Sequence, residues 1–376
     1  MKRSISLSIV GLFLFLAFST KAQQTDKGPT YLEFDLPPAI WLTPAEQQQL
    51  KTDHSPEKEV VLADFRELAD AALTRRPNPS DSIFYEGLVS NHPRRLQAAE
   101  YLEDMRLLHA LIWTYLLTGE QPYARKARSY LLAWASTYRP TGNDVNENKL
   151  NPCFLTYAVL KDELPRKKQK EVESWLMNIA AKQQQGWRLG EVAGNRHAKR
   201  LKLIWILGLA LEDRELQEFA FSRSREVLQK ALFPDGRSHD LERRDAMHYH
   251  VSCINGLLEL SLIARISGIK LYSETTPEGA SIQKSVEYTL PYVRGEKIHP
   301  EWVDSQVALD HRRGASGDPY YRPGKPWDPV EAIDMLLMAS VYEPELKILA
   351  APLRKERETP EERFLAYLTS FLSSSR

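Results

Sequence analysis

Cysteine is nearly missing from this chain: 376 residues hold two, Cys153 and Cys253, far apart and in no Cys-x-x-Cys pair. That excludes a disulfide framework and a cysteine-based zinc site, allows one bridge at most, and leaves stability to the core. Net charge is missing too, with 50 Lys and Arg against 50 Asp and Glu. Without a global basic field, nucleic acid is not an expected partner, and an anionic one must be held by a local cluster. Long apolar runs are absent after the first twenty or so residues. There, "MKRSISLSIVGLFLFLAFSTKAQQ" has a basic start (Lys2, Arg3), an apolar run from Ile5 to Phe18, and small residues Thr20 and Ala22. The run is short for a membrane span and no cysteine follows it, so 1–22 reads as a secretory signal peptide. The mature chain, 23–376, is expected to be a single domain, exported to the periplasm or beyond, with no membrane insertion.

Strand-type alternation is also scarce, and helical spacing takes its place. Residues 23–55, with "FDLPPAIWLTP", read as an irregular Pro-rich strap. "EYLEDMRLLHALIWTYLLTG" is apolar at helical spacing and stops on Gly119; "PYARKARSYLLAWASTY" repeats the pattern and stops before Pro140. Further helices are expected at 164–182, 196–211, 214–231, 245–266, 329–341 and 361–373. Hairpins recurring every 40–50 residues imply an all-α chain of antiparallel helical pairs, a solenoid or an (α/α) toroid or incomplete barrel. Residues 267–328, rich in Gly, Pro and aromatics, form a long irregular insertion too long to be an idle connection.

Four stretches can carry chemistry. In "GNRHAKRLKLIW", Asn195 suits an N-cap, which alone would explain it. Arg196, His197, Lys199 and Arg200 then crowd a helix start that is already positive, where acidic residues are the rule. A cationic helix start with exposed N–H groups is an anion receptor; otherwise the basic side chains simply splay into solvent. In "RRDAMHYHVSCINGLLEL", His248, Ser252, Asn255 and Glu259 form a polar stripe with Tyr249 beside it, while Met247, Val251, Ile254 and Leu258 form an apolar seam. A solvated face would suit an isolated helix; on one otherwise apolar nearly all round, the stripe lines a cleft. Cations near Tyr249 would ease its ionisation from the usual value of about 10. "PTGNDVNENKLNP" offers Asn146, Asn148 and Lys149 as a polar loop able to bind sugar. "GEKIHPEWVDSQVALDHRR" offers His299 and Glu301, a His-x-Glu pair too sparse for a metal motif. No metal and no cofactor are expected.

Together, "GNRH", "DGRSHDLERRDAMHYH" and "WASTYRPTGNDVNENKLNP" resemble the alginate-lyase-like superfamily of (α/α)-toroid polysaccharide lyases, over residues 90 to 310. With "GEKIHPEWVDSQVALDHRR" the similarity is closest to polysaccharide lyase family 38, whose members cleave alginate or glucuronan. The superfamily's Asn-Asn-His motif has Arg196 as its middle residue here. The resemblance implies β-elimination on a uronate polymer, with Asn195 and His197 quenching the carboxylate charge, Tyr249 as base and acid, Arg243 holding Tyr249 as phenolate or binding the carboxylate, and His248 or His250 as the reserve acid or base. Arg196, Lys199, Arg200, His248, His250, Asn146, Asn148, Lys149, His299 and Glu301 are then substrate-binding candidates. In mannuronate and glucuronate H5 and O4 lie on the same side, so one tyrosine can serve both steps. The competing readings are an (α/α)-toroid glycoside hydrolase using Asp240, Glu242 or Glu301, and a non-catalytic helical-repeat glycan binder.

Overall fold

Helix starts are set by local capping chemistry. In a computed structural model describing residues 38–374 apart from Ser90 and Arg357, Thr43 and Glu46 form a reciprocal capping box at the start of α1 (Pro44–Thr52). Ser55 caps α2 (Pro56–Thr74), with proline at its first position. α3 (Pro93–Thr118) ends on Gly119 in the left-handed region, φ 78°, where a side chain would be strained. α4 (Gln121–Thr137) stops before Pro140, and α5 (Asp144–Glu147) and α6 (Asn151–Leu160) follow. The succession continues with α7 (Arg166–Gln185), α8 (Asn195–Ala210), α9 (Arg214–Ala231), α10 (His239–Arg244) and α11 (Met247–Ala264). α12 (Ile282–Val293), α13 (Ala308–Ala315), α14 (Ile333–Ala339), α15 (Leu346–Glu356) and α16 (Pro360–Ser374) complete it. Among the described residues the only β pairings are two isolated bridges, Leu232 with Ser238 and Pro300 with Pro326.

The packing closes on itself. α2 packs on α3, α3 on α6, α6 on α8, α8 on α11, α11 on α14, α14 on α16, and α16 returns to α2. α4, α7, α9 and α12 back this circuit from outside. Helices of the circuit are buried on more than one side, which explains why α11 reads apolar nearly all round. The described residues fall in one compact unit, whose core is filled by wholly buried Trp113, Trp134, Trp205 and Phe154. Truncating any of these to alanine would cost about 3–5 kcal/mol. Gly256 brings α11 against α8: a Cβ there would lie 3.0 Å from Ala198 Cβ.

Two expectations are corrected. The strap is irregular only as far as Leu42 and Thr43 among the described residues; α1 lies inside the span expected to be loop. The insertion holds α12 and α13, because Ser281 caps an amphipathic run that its flanking Gly and Pro residues conceal. The helix expected over 245–266 is present as α11, which begins just after the short α10 ends at Asp245, φ 45°. Cys153 and Cys253 are both free and buried. The leader expected over 1–22 lies outside the described residues. No helix among those described is long and apolar enough to cross a membrane.

Candidate active site

The start of α8 is an anion site filled from within. Gly194, not Asn195, is the N-cap, and Asn195 is the first helical residue. Its N–H donates to Asp240 Oδ2 at 2.6 Å, so a side chain of α10 takes the place expected for a bound anion. Gly194 permits that approach, since a Cβ would sit 2.7 Å from both Asp240 carboxylate oxygens. Burial pushes the Asp240 carboxyl up, against the Asn195 N–H and the charges of Arg244 and Lys199.

The basic residues of this turn divide. Arg196 makes a fork to Asp144 at 3.1 and 2.6 Å and reaches Glu86 at 3.0 Å; Arg200 donates to Asp144 at 3.0 Å and to the Gly142 carbonyl. Burial would raise buried Asp144, but the two guanidiniums hold its carboxyl below the usual range. His197 accepts the Gly194 N–H on Nδ1 at 3.2 Å, and its Nε2 lies 3.0 Å from the Arg188 carbonyl. The carbonyl requires a donor, so the ring is the Nε2–H tautomer and both nitrogens serve the backbone. Lys199 differs: its Nζ donates to Ser252 Oγ on α11 at 3.2 Å, and no carboxylate pairs with it among the described residues.

On α11, packed against α8, Tyr249 is only 5% exposed. Arg313 Nη1 donates to its hydroxyl at 2.7 Å, Asp310 Oδ1 lies 3.4 Å from it, and the Arg244 guanidinium stacks 3.3 Å from the ring centroid. Arg244 forks onto buried Asp310, which Ser305 also hydrogen-bonds. Burial pushes the phenol up to about 12, even though Arg244 and Arg313 pull it down. At neutral pH it therefore carries its proton. Trp302, Tyr320 and Tyr321 from the insertion pack on Tyr249 and Ala246. Trp302 has φ 56° and donates its N–H to the carbonyl of Asp245, another left-handed residue, at 2.6 Å. Non-glycine residues in that region collect at functional sites.

His248 meets Tyr249 edge to face, ring centroids 4.8 Å apart. Its Nδ1 meets Glu331 at 2.9 Å and the Tyr320 hydroxyl at 2.7 Å. Glu301, fully buried, accepts the N–H groups of Met247 at 2.6 Å and His248 at 3.3 Å. It caps α11, whose own N-cap, Ala246, has no side chain able to do so. Burial pushes the Glu301 carboxyl up to about 7, against the His248 charge and these N–H groups. His299 Nε2 stands 3.5 Å from Asp245 and 3.8 Å from Glu301.

The structure thus brings Lys199 onto α11, which also carries His248 and Tyr249, and places other candidates elsewhere. Arg243 is exposed; the phenol's arginines are Arg244, one residue on, and Arg313, 64 residues away. His250 is wholly buried against Ser238 and Thr289, and burial pushes its imidazole down to about 4. It is a neutral core residue. Asn146 is used up tying the Ile83 carbonyl and the Glu86 N–H, and Lys149 lies over the Tyr85 ring. Asn148 is different: its Nδ2 donates to the carbonyls of Asp144 and Lys199, while its Oδ1 is buried without a partner. Asn255 Oδ1, on the stripe with Ser252, is likewise unpartnered. Asp240, Glu242 and Glu301 do not form a hydrolase pair, because Glu242 is exposed and the other two cap helices. The sequence did not single out Arg313, Asp310, Tyr320 or Glu331; the insertion's length and aromatics were the only signal for the first three, and Glu331, beyond the insertion, had none. Among the described residues no group of three or more His, Cys, Asp or Glu could hold a metal ion.

A closed circuit of helical pairs around a buried phenol held by two arginines defines the class, and comparison with known proteins gives the family. Residues 49–299, well over half the chain, match the alginate lyase family, to which the chain belongs. No curated protein sequence matches it. Among solved structures, an alginate lyase from Bacteroides ovatus superposes with TM-score 0.63 at 18% identity, covering 86% of this chain and 97% of its own. Alginate lyase A1-III from Sphingomonas species A1 gives 0.54 at 19% identity, over 67% and 76%. A variant of A1-III complexed with a tetrasaccharide gives 0.53 at 16% identity, over 80% and 85%. These are helical toroids, and this chain has their all-α fold.

Proposed function

We propose that this polysaccharide lyase is an exported enzyme that cleaves mannuronate-rich alginate or glucuronan by β-elimination, with Tyr249 as a proton-transfer group. A uronate C5 proton is a poor acid while the adjacent carboxylate is negative, so the charge must be quenched before the proton leaves. Lys199, with only a hydroxyl partner, and Arg313, already on the phenol, are cations suited to that task. The Asn195 side-chain amide makes no hydrogen bond among the described residues and is a candidate for sugar hydroxyls. His197, whose ring nitrogens both serve the backbone, shapes the end of α8 instead.

The observation that carries this reading is the Tyr249 hydroxyl held between Arg313 and Asp310 beneath an aromatic cover. A phenol that keeps its proton and has a guanidinium against its oxygen can protonate O4 as the C4–O4 bond breaks, and the guanidinium then stabilises the phenolate. Alginates named in the solved relatives and the tetrasaccharide bound by one of them support a uronate polymer. The test is to supply mannuronate-rich and guluronate-rich alginate, glucuronan and hyaluronan, and to follow the ultraviolet absorbance of unsaturated products. Absorbance with the first or third supports the reading; reducing ends without absorbance would mean hydrolysis, and binding without either a glycan receptor.

A further inference from the structure

A buried phenol that keeps its proton is equipped as an acid, and the elimination also needs a base. We propose that His248 is that base, with Glu331 and Tyr320 as its positioning residues; this rests on the β-elimination reading above. Glu331 Oε2 lies 2.9 Å from Nδ1, and the Tyr320 hydroxyl 2.7 Å from the same nitrogen. An ionised carboxylate only accepts, so in the neutral ring Nδ1 carries the proton and Nε2 keeps its lone pair. Burial would raise the Glu331 carboxyl, but hydrogen bonds from His248 and Tyr320 and the charge of Lys325 hold it below the usual range. It stays ionised to orient the ring. Nε2 has no hydrogen-bond partner among the described residues, and the His248 side chain is 24% exposed against 5% for Tyr249. A base oriented by a third group, with its reacting atom open, is the arrangement proton abstraction requires.

The two rings are consecutive on α11 and meet edge to face, centroids 4.8 Å apart. They can therefore address adjacent atoms of one sugar, which suits mannuronate and glucuronate, where H5 and O4 share a side. In the step, Nε2 takes H5, the C5–H electron pair becomes the C4=C5 double bond, and the C4–O4 bond breaks. The Tyr249 hydroxyl gives its proton to O4. The imidazolium then returns one proton to the phenolate, restoring both groups.

Three variants test this. His248→Asn keeps an N–H for Glu331 and loses Nε2, and should lower kcat by about 100-fold or more at unchanged melting temperature. His248→Ala should lose as much and regain part of it with added imidazole, which a merely structural histidine would not allow. Glu331→Gln should lower kcat with KM little changed, and carries the test if His248→Asn melts early. Turnover of His248→Asn within threefold of wild type, imidazole-insensitive loss in His248→Ala, or wild-type kcat in Glu331→Gln would overturn the assignment while leaving the lyase reading standing. A wild-type protein yielding no unsaturated product from any uronate polymer would sink both.

Discussion

Asp240 Oδ2 accepts the N–H of Asn195 at 2.6 Å, so the positive end of α8 already holds a carboxylate before any substrate arrives. The two residues lie 45 positions apart and join α10 to α8. Arg196 and Arg200 are likewise balanced internally by Asp144. The cationic helix start is an anion receptor, as its sequence implies, and most of its anions are the protein's own. Lys199 remains for a ligand.

Substitutions at Asp240 should separate capping from charge. Its carboxyl is raised, chiefly by burial, so the neutral form is favoured in the fold. A raised carboxyl contributes stability that is present below its unfolded value and lost as pH rises through its folded value. Asp240→Asn keeps an acceptor for Asn195 without the charge, and should match wild type in acid but melt higher at neutral pH. Asp240→Ala loses the acceptor and should cost about 1 kcal/mol in urea denaturation. An Asn variant less stable at neutral pH would show the charge to be favourable there.

Tyr249→Phe removes one oxygen from a packed aromatic cluster. It should lower formation of unsaturated product by about 10²–10⁴-fold, with polymer affinity by calorimetry within a few fold. Near-wild-type turnover would exclude the phenol from the proton transfers.

How much of this was legible from sequence follows from the range of each interaction. Helix periodicity and stops such as Gly119 are local, so the all-α hairpin succession could be read directly. Tyr249 and the α8 start were legible because a polar stripe on an apolar helix and cations at a positive helix end both violate local rules. Which arginine meets Tyr249 was not, because Arg313 arrives from the insertion and Arg244, not Arg243, faces the ring after the left-handed break at Asp245. His250, two residues from His248 and so on another side of the helix, was indistinguishable from it in sequence and is buried in the fold.

Glu301 ties stability to pH across the neutral range. Burial raises its carboxyl from the usual 4.5 to about 7. Its contribution is therefore full below about pH 4.5 and lost as pH rises through 7, a change of a few kcal/mol. The melting temperature should fall between about pH 5 and pH 8, and Glu301→Gln should flatten that slope. Equal slopes in both proteins would mean that another group sets the dependence.

Asp310 holds the insertion to the tyrosine. With Arg244 forked onto it, Ser305 at 2.7 Å and the Tyr249 hydroxyl at 3.4 Å, it is the one buried carboxylate among three groups that determine the phenol's environment. Asp310→Ala leaves the Arg244 charge partly buried without this partner, which should cost about 3–5 kcal/mol. The same substitution removes a charge that raises the phenol while Arg313 and Arg244 still lower it, so Tyr249 should ionise below its present value of about 12. An acid that ionises sooner stops working sooner, so the alkaline limb of kcat should move to lower pH in Asp310→Ala. A limb that stayed in place, in a variant shown by its melting curve to be folded, would mean that protonated Tyr249 is not the group that delivers the proton to O4.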